Sequence, residues 1–188
     1  TVYRRLVAGR LGMPAGRIEV THGDSSDEVP GAGAAASRST MSVGGAVAAA
    51  LDAVIEKGRR VAAHVLEAAE EDIQYRDGVF EIAGTDRNIA LFALADRAKA
   101  LGESLDAKSS YDAVPSFPNG VHVAEVEIDP GTGRTVLAAY TCVDDCGRVL
   151  QPVLVEGQVQ GGVAQGVGQA LLEWGNYDDA SGQLVAGS

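Results

Sequence analysis

An α+β fold, with a mixed or antiparallel sheet made of hairpins and packed against long helices, follows from three observations. Two long segments carry apolar residues at three- and four-residue steps, the period of a helix with one buried face. Asp77-Gly78 and Pro130-Gly-Thr-Gly133 each stand between strand-like runs and read as hairpin turns. Strand pairs joined by tight turns are also mixed with separate helices, which indicates an α+β sheet-and-helix layer and argues against a doubly wound parallel sheet.

The elements follow in order. Thr1 to Gly12 reads as a helix with Leu6, Val7 and Leu11 apolar, Gly12 as cap, and Pro14 preventing continuation. Arg17 to His22 alternates and predicts a strand. A loop of small and acidic residues runs from Gly23 to Ala36, and Ser37-Arg-Ser-Thr40 then leads into a helix from about Met41 to Glu71. Val43, Val47, Leu51, Val54, Ile55, Val61, Val65 and Leu66 form its buried stripe. Ile73 to Ile82 is a hairpin, Ile89 to Leu101 a second amphipathic helix, and Glu103 to Asn119 an irregular stretch interrupted by Pro115 and Pro118. Gly120 to Asp129 and Arg134 to Val143 are paired strands. Asp144 to Arg148 turns the chain, and Pro152 opens a helix at a position proline tolerates. Trp174 to Tyr177 and Gln183 to Val185 close as short strands. The whole reads as one domain over 1–188, or as two sub-lobes at 1–110 and 111–188.

The helix after Pro152 is unusual. Gly157, Gly161, Gly162, Gly166 and Gly168 lie within its apolar stripe, and each costs about 1 kcal/mol relative to alanine inside a helix. Gly157, Gly161, Ala164 and Gly168 make one smooth face. Either a neighbouring helix crosses closely there, or a large polar ligand does, with Gln158, Gln165 and Gln169 supplying amides.

Composition narrows the function. A net charge of −11 disfavours sequence-independent binding to nucleic acid or to an anionic membrane, and no apolar run approaches the length of a membrane span. Two cysteines do not make a disulfide framework, which fits a cytoplasmic setting. The hydrophobic share of 46% is that of a core-forming chain. Ser37, Arg38, Ser39 and Thr40 place three hydroxyls and a guanidinium where a long helix begins. Unpaired N–H groups and a partial positive charge suit that place to a phosphate or pyrophosphate, and ordinary N-capping is the simpler alternative. Cys142 and Cys146 have no second pair, and His22, His64 and His122 are far apart, so no protein metal site is expected. The carboxylates of Asp144 and Asp145 argue against a nucleophilic thiolate beside them; Cys142 reads as a buried small residue on a strand, and Cys146, in a turn, is less easily dismissed. His122 shares a strand face with Ala124, Val126 and Ile128 and reads as a packed or edge histidine.

The run from Asp144 to Glu173, with Gly120 to Gly133 before it and Ala36-Ser-Arg-Ser-Thr40 upstream, closely resembles the molybdenum-cofactor-binding large subunit of the xanthine dehydrogenase and aldehyde oxidase family. The similarity is greatest to the aerobic carbon-monoxide dehydrogenase large chain type. It spans essentially the whole chain and implies the molybdenum-cofactor-binding domain fold. It also implies oxidative hydroxylation of an aldehyde, an N-heterocycle or carbon monoxide with water-derived oxygen, on a molybdopterin cytosine dinucleotide carrying molybdenum. FAD-binding and [2Fe-2S] subunits, the rest of the large subunit and a small-molecule substrate are the implied partners. Carried over by resemblance, Thr1 ends a cofactor loop, Ser37 to Thr40 hold the dinucleotide phosphates, Asp145, Cys146 and Gln151 lie along the cofactor tail, and Gln158 approaches the pterin. Ala34-Ala-Ala36 replaces a glycine-rich run, and Gln151 stands where the family has Asn.

The family's catalytic glutamate lies in a Gly-x-Gly-Glu segment beyond Ser188, and two further cofactor loops lie before Thr1. The chain opens on Thr1 without methionine, inside a helix. It is therefore expected to be an excised piece with no catalytic residue of its own, binding the cofactor weakly or not at all and self-associating through uncovered apolar surface. The competing expectation is a non-catalytic anion-binding or interaction module that kept the fold without the cofactor.

Overall fold

The computed structural model describes residues 1–27, 31, 33, 34 and 37–186. Ala35 and Ala36 of the alanine run, most of the acidic loop's second half and Gly187-Ser188 lie outside the described residues. The chain forms two compact units, Thr1–Val114 and Pro115–Ser188.

The first unit has a closed core. Helix α1 (Val2–Leu11) is capped by the Thr1 side chain and ends at Gly12 in the left-handed conformation, φ 61°. A side chain at Gly12 would overlap the backbone of Asp77, so both conformation and space require glycine. Helix α2 (Ser39–Leu66) buries Leu51, Ile55, Val61 and Ala62. It ends five residues before the expected Glu71. Glu67 takes φ 51° with its N–H on the carbonyls of Ala63 and His64, and the Arg87 guanidinium donates to the Leu66 carbonyl. Those carbonyls have found partners outside a continuing helix. By length and composition α2 is apolar enough to cross a membrane, but its apolar face packs on α1, α3 and β1.

Strands β1 (Ile73–Arg76), β2 (Val79–Ile82) and β3 (Asn88–Ala90) form an antiparallel sheet in sequence order. Asp77 and Gly78 both have positive φ, 47° and 84°, the backbone of a two-residue hairpin whose twist matches its strands. Phe80, fully buried on β2, faces Gly58 of α2 so closely that any Cβ there would overlap its ring. Ile89 belongs to β3, so α3 begins at Leu91 and runs to Ala100. The expected strand from Arg17 to His22 is absent. Ala15–Arg17 is a 3-10 turn and residues 18–22 are irregular. Alternation alone does not make a strand where no neighbour completes its backbone hydrogen bonds. Arg17 instead lies over the Phe92 ring, 4.0 Å from its centroid.

Residues 103–111 look unstructured by sequence yet form a strap along α2. Leu105 enters the core, Lys57 donates to the Asp106 carbonyl, and the Tyr111 ring occupies the notch left by Gly45.

The second unit is built around a long hairpin, β4 (Asn119–Ile128) and β5 (Thr135–Asp145), with a bulge opposite Glu125 and Val126. Its turn is organised by Asp129. That carboxylate accepts from the Gly131 N–H at 2.8 Å and from the Thr132 hydroxyl at 2.9 Å, and both donors hold its pKa below the ordinary value. Asp144 and Asp145 belong to β5, so the chain turns only from Cys146 onward, later than expected. Helix α4 (Pro152–Leu171) starts on proline as expected, and β6 (Asn176–Tyr177) pairs antiparallel with β7 (Leu184–Ala186).

Candidate functional site

Two contacts define how α1 and α2 lie together. The Tyr3 hydroxyl donates to the Ser39 carbonyl at 3.3 Å. Seven residues on, the Arg10 Nε donates to Asp52 Oδ1 at 2.9 Å. Both partners advance along their helices in the same direction, so α1 and α2 run parallel and their N-termini share one end of the unit. Neither first turn contains an acidic residue. Arg4 and Arg5 stand in the first turn of α1, at the positive pole of its macrodipole, where cations are disfavoured and anions favoured. Thr1, Arg4, Arg5, Ser37, Arg38 and Thr40 are exposed there. Sequence reasoning overlooked Arg4 and Arg5; consecutive arginines at a helix start, in so acidic a chain, were the available signal.

At the start of α2 ordinary capping does not account for the hydroxyls. The N-cap is Arg38, which makes no side-chain cap hydrogen bond, while its carbonyl accepts from Ser42 N at 2.9 Å and Met41 N at 3.1 Å. Ser37 is held at φ 53°, a conformation uncommon for a residue with a side chain.

In the second unit, Asp145 Oδ1 accepts from the Gly147 N–H at 2.9 Å, and Cys146 is an exposed free thiol. Gln151 is the N-cap of α4 without a side-chain cap bond, and its Oε1 is buried without a hydrogen-bond partner. A buried amide oxygen left unpaired is destabilising unless something outside the chain supplies a donor. Gln158 is exposed on α4. The close approach expected at the glycines is not found: a Cβ at Gly157, Gly161, Gly162 or Gly166 would meet no described atom within 4 Å. Sequence pattern revealed that side chains are missing from this face, but not what occupies the space. No cluster of three or more metal-ligating side chains occurs among the described residues.

A family model for the molybdopterin cofactor-binding domain matches residues 1–188. The chain belongs to that family. Among curated relatives, it is 34% identical to the 6-hydroxypseudooxynicotine dehydrogenase complex subunit gamma of Paenarthrobacter nicotinovorans, across 100% of this chain and 25% of that protein. It is 35% identical to the carbon monoxide dehydrogenase large chain of Hydrogenophaga pseudoflava, across 98% of this chain and 24% of that one. The crystal structure of quinoline 2-oxidoreductase from Pseudomonas putida 86 superposes with a TM-score of 0.81 at 36% identity, covering 99% of this chain and 25% of that chain. The chain thus spans about a quarter of the length of the relatives it matches, and the mixed α+β fold expected from sequence is the fold it has.

The residues present fit such a cofactor. Two parallel helix N-termini with hydroxyls and arginines suit a phosphate-bearing tail. The unpaired Gln151 oxygen suits a ring N–H or amino group, and the open glycine face of α4 leaves room for a bulky ligand.

Proposed function

We propose that this chain is the cofactor-binding portion of a molybdenum hydroxylase large subunit, acting on an aldehyde, an N-heterocycle or carbon monoxide with oxygen taken from water. The observation that carries the reading is the pairing of two parallel helix starts, at Thr1 and Ser37–Thr40, in which neither first turn holds an acid and arginines stand at the positive poles. Backbone N–H groups and partial positive charge at two neighbouring helix starts favour an anion. A molybdopterin, when bound, supplies the redox centre of the reaction. This chain's residues hold it: Thr1, Ser37, Arg38, Ser39 and Thr40 through phosphate oxygens, Asp145, Cys146 and Gln151 along the tail, and Gln158 toward the pterin. The cytosine dinucleotide is the proposed form, because the acceptors at Asp145 and Gln151 complement the exocyclic amino donor of a cytosine. FAD-binding and [2Fe-2S] subunits are the proposed electron acceptors, and the 188 residues alone are proposed to be inactive and to self-associate.

Cofactor content tests this. In the full large subunit, acid release is expected to yield cytidine monophosphate in step with pterin and molybdenum, and Arg38→Gln is expected to lower all three at least fivefold. The purified 188-residue chain is expected to carry well under one tenth of an equivalent. Stoichiometric molybdenum in the short chain, or full loading of the Arg38→Gln subunit, would overturn the assignment.

A further inference from the structure

The hairpin of the second unit carries a hydrogen-bonded chain that the cofactor reading does not use. On one face of β4 and β5, Gly120 lies opposite Asp144, His122 opposite Cys142, and Ala124 opposite Tyr140. Because Gly120 has no side chain, the Asp144 carboxylate folds across it; a Cβ at Gly120 would overlap Asp144 Oδ1. From there Oδ1 sits 3.1 Å from His122 Nε2, and His122 Nδ1 sits 3.0 Å from the Tyr140 hydroxyl. The two rings meet edge-on, 73° apart with centroids at 5.8 Å. His122 and Tyr140 form part of the wall of a cleft of about 330 Å³ whose opposite wall is α4, at Gly162, Val163, Gly166 and Val167.

The directions of these bonds follow from the groups themselves. A carboxylate only accepts, so Nε2 carries the proton and donates to Asp144. In neutral His122 the other nitrogen, Nδ1, then has only a lone pair, so the Tyr140 O–H must donate to it. The phenol oxygen is left with lone pairs alone and presents an acceptor to the cleft. When His122 gains a proton, both ring nitrogens become donors. Nδ1–H then points at the phenol oxygen, the Tyr140 proton must rotate away, and the cleft meets a donor. The other titratable group on this face is Cys142 of β5, and α4 contributes none to the cleft wall.

We propose that Asp144, His122 and Tyr140 form a proton-operated switch that reverses the hydrogen-bonding sense of the phenol on the cleft wall.

The test uses the 188-residue chain labelled with ¹⁵N in histidine and ¹³Cζ in tyrosine, followed by NMR across the titration of His122. The expected results are an Nε2–H tautomer for neutral His122, and a Tyr140 Cζ resonance that moves upfield in step with His122 protonation as the phenol stops donating. In His122→Asn that Tyr140 inflection disappears. An Nδ1–H tautomer in the neutral form, or a Tyr140 signal that stays flat while His122 titrates, would overturn the proposal. If His122→Asn does not fold, those two wild-type readouts still decide the matter, and Gly120→Ala, which displaces the carboxylate, is expected to weaken the tautomer preference.

Discussion

The two units bury their apolar side chains to very different degrees. Among the described residues every buried apolar side chain, from Leu11 through Phe80 and Leu94 to Leu105, lies in the first unit. In the second unit no residue of β4, β5 or α4 is buried among those described, and Val121, Val143, Val153, Leu172 and Trp174 are each two-thirds or more exposed. Both kinds of sequence carry clear periodicity, so the difference is not one of pattern. In the first unit helix, sheet and strap close on each other. In the second, Gly157 and Gly161 of α4 meet no described atom, and both faces of the hairpin carry exposed apolar side chains, Val121 and Val123 on one and Val126 and Ile128 on the other. Periodicity therefore tells that a face is meant to be covered, and says nothing about what covers it.

The sharpest way to break this contrast is to truncate one large apolar side chain in each unit. Phe80→Ala, in a site with no solvent exposure, is expected to cost about 3–5 kcal/mol, whereas Leu172→Ala, at 77% exposure, should stay within about 0.5 kcal/mol. Urea denaturation followed by circular dichroism reads both, and comparable losses would mean that the second unit has a core after all.

A smaller effect of opposite sign sharpens the comparison. Gly162→Ala and Gly166→Ala meet no described atom, so each is expected to stabilise α4 by about 1 kcal/mol through helix propensity alone. Hydrogen exchange of the α4 amides measures it. Slower exchange fits an open face, and faster exchange would reveal a contact at those positions.

The smallest effect concerns the hairpin turn. Asp129 has its pKa lowered by the Gly131 N–H first and the Thr132 hydroxyl second. Its contribution is present above the unfolded carboxyl value of about 3.9 and is lost as pH falls through the lower folded value. Gly131 amide exchange, corrected for its intrinsic pH dependence, should rise only in that acid window, and Asp129→Asn should remove the step.

Legibility in the sequence followed the range of the interactions. The Asp77-Gly78 hairpin was plain because two adjacent residues set its backbone. Pro152 marked the start of α4 for the same local reason. The end of α2 was not, since Arg87 reaches its last carbonyl from twenty-one residues away. Arg17 to His22 misled because alternation persists whether or not a partner strand exists. At the site, the Ser37–Thr40 helix start was readable, but the parallel course of α1 beside it depends on Tyr3 and Arg10 finding distant partners. His122 reads from sequence as a packed or edge residue, and it is exposed on the hairpin; its bonds to Tyr140 and Asp144 depend on strand register, which no local pattern encodes.

The strap along α2 also says where this protein can be divided. A boundary chosen at Gly102, where the last helix of the first unit stops, would remove Leu105 from the interior and leave the groove at Gly45 empty of the Tyr111 ring. A cut after Val114 keeps both. The first compact unit therefore extends a dozen residues past its final regular element, through a segment that the sequence shows only as irregular.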